Sequence, residues 1–129
     1  MTVCLDSSAY IEMFRGNKAV ADFIGACDEV IVPAAVVAEL VEGFFATPDS
    51  ADDQIRLNAF LALPNVCFHA ADYEVAERFA ILSHLLRRRG RPIPVNDIWI
   101  AATAFETGPR IVSYDRHFDE IDGLVRIAP

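Results

Sequence analysis

The sequence predicts an α/β fold with a mostly parallel central sheet. Three observations lead there. Short apolar, β-branched runs alternate with longer amphipathic segments along the whole chain, and strand–helix–strand order implies right-handed crossovers between parallel strands. At 129 residues the chain has the length of one compact domain, taken as 1–129, with no repeat, low-complexity segment or internal boundary. Hydrophobic residues make up 53% of it, enough for a real core, so disorder is not expected.

The elements follow in order. Thr2 to Leu5 is a short strand. Ser7 or Ser8 can cap a helix running to about Phe14, and Gly16 stops it. Asn17 caps a second helix to about Cys27, with Val20, Phe23 and Ile24 on one face. Glu29 to Val32 is a second strand. Pro33 then takes a favoured first-turn position, and a helix follows to about Phe45. Thr47 to Ser50 is a loop with a cap signal. The next helix carries Ile55, Leu57, Phe60 and Leu61 and ends near Pro64. Val66 to Phe68 is a third strand. Asp72 caps a long helix that ends at an arginine run and Gly90. Arg91-Pro92-Ile93-Pro94 is an extended connector, since each proline disfavours helix in the residue before it. Asn96 or Asp97 opens another helix, ended by Gly108-Pro109. Arg110 to Tyr114 is a fourth strand, Asp115 to Ile121 a turn of helix, and Leu124 to Ile127 a last strand.

Composition narrows the function. No apolar stretch approaches the roughly 20 residues that span a bilayer, and no charged-then-apolar leader is visible. Cys4, Cys27 and Cys67 are odd in number, widely spaced and set among apolar neighbours, which reads as reduced core thiols in a cytoplasmic protein. His69, His84 and His117 are too scattered for a zinc-binding pattern. The net charge of -8 runs against the basic footprint of most nucleic-acid binders. Positive charge is nonetheless clustered at Arg87, Arg88, Arg89 and Arg91. That cluster fits a solvated helix C-terminus, a phosphate-steering patch, or both.

The chemistry-bearing pattern is a set of acids at element ends. Asp6 closes the first strand, Asp115 follows the fourth, and Asp97 opens an apolar helix. Singly, each fits a turn or cap aspartate. Together they can meet beyond the carboxyl ends of a parallel sheet. Gathered carboxylates repel one another unless a cation sits among them, and oxygen ligands point to a hard divalent one. Metal-assisted phosphodiester chemistry is the leading idea. Ser113 would place a hydroxyl near such a site. Asp119 and Asp122 read as surface charges or supporting acids, and Trp99 and Phe105 as packing residues. Between Pro33 and Phe45 the apolar stripe is Val37, Leu40, Val41 and Phe44; Glu39 lies nearly opposite it, beside Glu42, so periodicity predicts a solvated glutamate and does not separate the two. There is no dinucleotide or phosphate-binding glycine loop and no nucleophile elbow.

Four blocks resemble the PIN-domain ribonucleases, in particular the VapC-type toxins of toxin–antitoxin modules. Val3-Cys4-Leu5-Asp6-Ser7-Ser8 resembles the opening strand, its first aspartate and a hydroxyl residue two positions on. Pro33 to Gly43 resembles the second block, a helix with glutamate four residues before glycine, and this selects Glu39 over Glu42. Asn96 to Ala104 resembles the third, aspartate followed by Ile-Ala-Ala at helical spacing. Ile111 to Phe118 resembles the fourth, Ser/Thr-x-Asp leading to His-Phe. The blocks stand in family order over nearly the whole chain.

The resemblance implies a PIN-like three-layer α/β/α sandwich. It implies Mg²⁺ or Mn²⁺ held by Asp6, Asp97 and Asp115, with Glu39 as ligand or helper and Ser8 and Ser113 in support. It further implies endonucleolytic RNA cleavage, a homodimer, and a cognate antitoxin that blocks the site. The alternatives are a housekeeping PIN nuclease of RNA processing and a non-catalytic PIN-like binding module. A phosphoacceptor receiver domain would share the length and the strand-end aspartates, but it needs a late lysine, and the chain's only lysine is Lys18.

Overall fold

The structure, a computed structural model, describes residues 1–129. Five strands, β1 (Thr2–Leu5), β2 (Glu29–Pro33), β3 (Val66–His69), β4 (Arg110–Val112) and β5 (Val125–Ile127), form one sheet in the order β3-β2-β1-β4-β5. Every neighbouring pair is parallel, so the mostly parallel expectation becomes all parallel. Six helices accompany them: α1 (Ser7–Phe14), α2 (Lys18–Ala26), α3 (Ala34–Phe44), α4 (Ser50–Leu61), α5 (Tyr73–Arg88) and α6 (Val95–Thr107). A 3-10 turn spans Arg116–Glu120.

Strand order decides the layers. The chain moves outward from β1 through β2 to β3, then returns across β1 to β4. Right-handed crossovers therefore place α1 to α4 on one face and α5 and α6 on the other. The centre of the sheet is covered on both sides, which is why Val3, Cys4 and Leu5 of β1 are all fully buried. On the far face α6 packs against β1, β2 and β4. Its Ala101, Ala102 and Ala104 are fully buried, small side chains that let the helix sit close to the sheet. At its end Gly108 takes a φ of +143°, and a β-carbon there would lie 3.7 Å from the Thr2 carbonyl oxygen, so glycine makes the turn into β4.

Local signals succeed where a side chain is free to cap. Asn17 accepts from the Ala19 and Val20 amides, and Asp72 from Val75. They fail at four helix starts; before α4 the residue at the N-cap, Asp49, makes no side-chain cap bond. Ser7 and Ser8 do not cap α1; Asp6 occupies the N-cap position without a side-chain cap bond, and both serine hydroxyls turn toward carboxylates instead. Pro33 ends β2 at the N-cap position of α3 rather than opening its first turn. Neither Asn96 nor Asp97 opens α6, which starts at Val95 behind Pro94, so the Asp97 carboxylate is not consumed in capping. Two strands are shorter than expected: β4 stops at Val112 and β5 begins at Val125.

Cys4 and Cys27 are buried, but Cys67 is exposed. β3 is an edge strand, and both Cys67 and its neighbour Phe68 lie open there. Cys4 is the inert case: burial and the nearby Asp6 charge both push its thiol pKa up. Trp99 packs as expected, stacked on Phe79 with ring centroids 4.1 Å apart.

Candidate active site

The strand order reverses between β1 and β4, and clefts of open parallel sheets form beyond the carboxyl ends at such a point. Leu5 pairs with Val112 as the last rung of the two strands. One residue on, the Asp6 amide still donates to the Val112 carbonyl at 3.1 Å. Asp6 and Ser113 thus emerge side by side. The Ser113 hydroxyl donates to Asp6 Oδ2 at 2.6 Å, and the Ser8 hydroxyl donates to the same oxygen at 2.8 Å. Ser113 Oγ also accepts the Asp115 amide at 2.9 Å, and Ser8 Oγ accepts the Tyr114 amide at 3.1 Å. A small hydroxyl network therefore couples the end of β1 to the loop after β4.

Asp97 sits in the first turn of α6 and points to the same place. It is 9% exposed and lines a cleft of about 460 Å³ with Glu39, Glu42, Asn96, Asp115 and His117. Its pKa is raised to about 6, foremost by burial; a hydrogen bond from His117 opposes the shift, and the Asp115 and Asp6 charges add to it. Asp115 caps the 3-10 turn, Oδ1 accepting the His117 amide at 2.9 Å. That turn swings the His117 ring between the two acids: Nδ1 lies 3.1 Å from Asp97 Oδ2 and 3.2 Å from Asp115 Oδ1. Ligand atoms of Asp97, Asp115 and His117 all fall within 4.8 Å of one another.

Glu39 corrects the periodicity reading. It is half-buried rather than solvated, because α3 packs against α6 as well as the sheet. Ser7 Oγ donates to Glu39 Oε2 at 2.8 Å, and the Asn96 side-chain amide donates to Oε1. Glu42 lines the same cleft but is exposed and has no side-chain hydrogen bond or ion pair. A helical wheel drawn against one apolar stripe cannot anticipate a second helix on the flank.

Residues 3–124 match the PIN domain family. The chain belongs to that family. It is similar to ribonuclease VapC5 of Mycobacterium tuberculosis (strain ATCC 25618 / H37Rv), with 27% identity over 123 residues covering 95% of this chain and 90% of that protein. Among solved structures it resembles VapBC2 from Rickettsia felis bound to a DNA fragment from the promoter (TM-score 0.88, 18% identity, 98% of each chain). It also resembles VapBC-5 from Mycobacterium tuberculosis (TM-score 0.75, 26% identity, 98% of each chain).

In this PIN domain the four acids of the family blocks, Asp6, Glu39, Asp97 and Asp115, gather around one end of the sheet. They are not equivalent. Asp97 and Asp115 are close to one another, whereas Asp6 is held by the two serines and Glu39 by Ser7 and Asn96. His117 lines the same cleft, which the scatter of the three histidines in the sequence does not indicate. The available signal is its spacing, two residues beyond an aspartate that caps its backbone amide.

The arginine run divides. Arg89 pairs with Asp122 and the Glu120 carbonyl, and Arg91 pairs with Glu120, so both brace the segment around the 3-10 turn. Arg87 and Arg88 make no ion pair and end α5 in solvent. Lys18, the chain's only lysine, is on α2 and pairs with Asp22, so no strand end carries the lysine a receiver domain would need. A second cleft of about 690 Å³ adjoins the site between α1, α3 and α4. It is lined by apolar Tyr10, Ile11, Phe14, Leu40 and Phe44 with Arg15 and Arg56, and it shares Glu39 with the acid side.

Proposed function

We propose that this chain is a VapC-type toxin: an endoribonuclease that depends on Mg²⁺ or Mn²⁺, cleaves RNA phosphodiester bonds at its acid cluster, and is held in check by a cognate antitoxin. The observation that carries this reading is the meeting of four carboxylates from β1, α3, α6 and the loop after β4 at the point where strand order reverses.

The donor set fits a divalent cation. Asp97 and Asp115 offer oxygens at close range, and the raised Asp97 pKa reflects burial first and the neighbouring Asp115 and Asp6 charges second, costs a cation would offset. Asp97 and Asp115 would hold it, with Asp6 behind them. When bound, the metal supplies a Lewis acid for a phosphate oxygen and for a water. The protein's own groups do the remainder. Ser8 and Ser113 fix the Asp6 carboxylate so that its second oxygen faces a constant direction. Glu39, clamped by Ser7 and Asn96, is the carboxylate best placed to orient the attacking water and accept its proton. The open cleft suits a single-stranded or looped RNA backbone.

The apolar cleft beside the site suits the antitoxin. Its Tyr10, Phe14 and Phe44 wall would take the apolar face of a helix, and because Glu39 lines both clefts, an arginine on that segment would reach the acids. Homodimer formation and a cytoplasmic location belong to the same reading. No helix is long and apolar enough to cross a membrane.

Mapping of RNA ends after brief induction, beside an Asp97→Asn control, is the test. New ends at defined positions with wild type and none with Asp97→Asn support the nuclease. Purified protein that cleaves equally with Mg²⁺ and with EDTA would sink the metal-dependent mechanism. Growth arrest relieved by a small neighbouring gene product distinguishes a toxin from a housekeeping nuclease.

A further inference from the structure

We infer that His117 is a nitrogen ligand of the metal, so that this site favours Mn²⁺ over Mg²⁺. The inference rests on the metal site proposed above and adds to it a residue outside the acid set.

Geometry is the first support. Nδ1 of His117 lies 3.1 Å from Asp97 Oδ2 and 3.2 Å from Asp115 Oδ1. Neighbouring donors around a six-coordinate ion with bonds of about 2.1 Å are separated by about 3.0 Å. Both separations match one edge of such a polyhedron, and the three donors lie within 4.8 Å of one another. They would supply three donors and leave the remaining positions for water and a phosphate oxygen.

The backbone supports the same conclusion. His117 is not a loosely tethered surface ring. Its amide is held by Asp115 Oδ1, and Phe118, the next residue, is fully buried. Asp119 is gripped by Arg126 through two bonds of 2.8 and 3.1 Å. Arg91 and Arg89 hold Glu120 and Asp122 from the other side. The ring is therefore presented at a set place with Nδ1 inward, while half of the side chain, 53%, stays open to water that can satisfy Nε2.

Chemistry gives the consequence. Mg²⁺ prefers oxygen and retains its waters, whereas imidazole suits borderline transition ions. Replacing one water by His117 would add binding energy for Mn²⁺ and little for Mg²⁺.

The test uses the full chain with Mn²⁺ as the probe, read by electron spin-echo modulation and by titration calorimetry. Wild type should show nitrogen modulation on bound Mn²⁺, and its pattern should change when histidine is labelled with nitrogen-15. His117→Gln should lose the modulation, weaken Mn²⁺ about tenfold and change Mg²⁺ affinity less than twofold. The labelled wild type keeps the test valid even if His117→Gln folds poorly. Mn²⁺ that binds wild type, is lost in Asp97→Asn, but carries no nitrogen modulation overturns the histidine ligand and leaves the carboxylate site standing. Modulation that survives His117→Gln also overturns it. No Mn²⁺ binding at millimolar concentration overturns both.

Discussion

The Ser113 hydroxyl donates to Asp6 Oδ2 at 2.6 Å across the seam between β1 and β4. Both residues are buried, at 0% and 4% exposure, so the bond has no water to replace it. The same oxygen of Ser113 receives the Asp115 amide. Ser113→Ala should therefore leave a buried carboxylate and an amide short of partners, costing about 1–3 kcal/mol of stability. It should also lower RNA cleavage about 10–100-fold by loosening Asp6 and Asp115. Ser113→Thr, which keeps the hydroxyl, should recover most of both. Chemical denaturation and initial cleavage rates check this.

Asp97 makes the metal-free protein sensitive to pH. Its folded pKa is raised to about 6 from 3.8, so the proton is bound more tightly in the folded state. The associated stability is fully present below the unfolded pKa, near 4, and is lost as pH rises through 6. Its size is at most about 3 kcal/mol. In EDTA, wild type should lose stability between pH 4 and pH 6.5 relative to Asp97→Asn, and the variant should be the more stable of the two at pH 7.5. Thermal melts of both proteins across that range give the difference.

Divalent metal should close that gap. A cation that binds only the folded state adds about 2.7 kcal/mol at 100 times its Kd, or on the order of 10 °C in Tm for a domain of this size. Wild type should show that rise with Mn²⁺ at pH 7.5, and Asp97→Asn should show almost none. The variant should also lose RNA cleavage while remaining folded by circular dichroism.

Glu39 and Glu42 stand one turn apart on α3 and share a cleft, but only Glu39 is clamped, by Ser7 and Asn96. Glu39→Gln should lower the cleavage rate by 100-fold or more, of the order general-base losses reach. Glu42→Gln should stay within about threefold, as expected for an exposed side chain away from the transferred proton. Asn96→Ala should reduce kcat more than it changes RNA affinity, since it acts by orienting Glu39.

Arg87 and Arg88 carry the unpaired positive charge at the end of α5. If they steer RNA, replacing both with alanine should weaken RNA binding several-fold at low salt, and the defect should fade as salt rises. Arg89→Ala and Arg91→Ala remove exposed ion pairs and should each cost less than about 1 kcal/mol. Filter binding at two salt concentrations separates the two pairs.

Local chemistry made much of this protein legible. The alternation of elements, the caps at Asn17 and Asp72, and the apolar central strand followed from short-range rules, because those side chains act within a turn or a strand of themselves. Asp6 and Asp115 could be placed beyond strand ends by reading order alone, since a parallel sheet puts all such ends on one edge. Other features depend on partners distant in the chain. Ser7 and Ser8 carry cap chemistry, yet Glu39 and Asp6 compete for their hydroxyls. Asp97 lies inside α6 because Pro94, and not the aspartate, stands at the helix start. Glu39 reads as solvated until α6 closes over it, and His117 reads as a lone histidine until a 3-10 turn, held by Asp115 and the buried Phe118, swings it between two acids. Sequence by itself determined the strand–helix alternation, the apolar core and the edge of the sheet where the acids lie, because periodicity and turn chemistry are local. Tertiary structure decided which hydroxyls, amide and imidazole meet each carboxylate, because all of those contacts except Ser8 to Asp6 and His117 to Asp115 join residues from 20 to 107 positions apart.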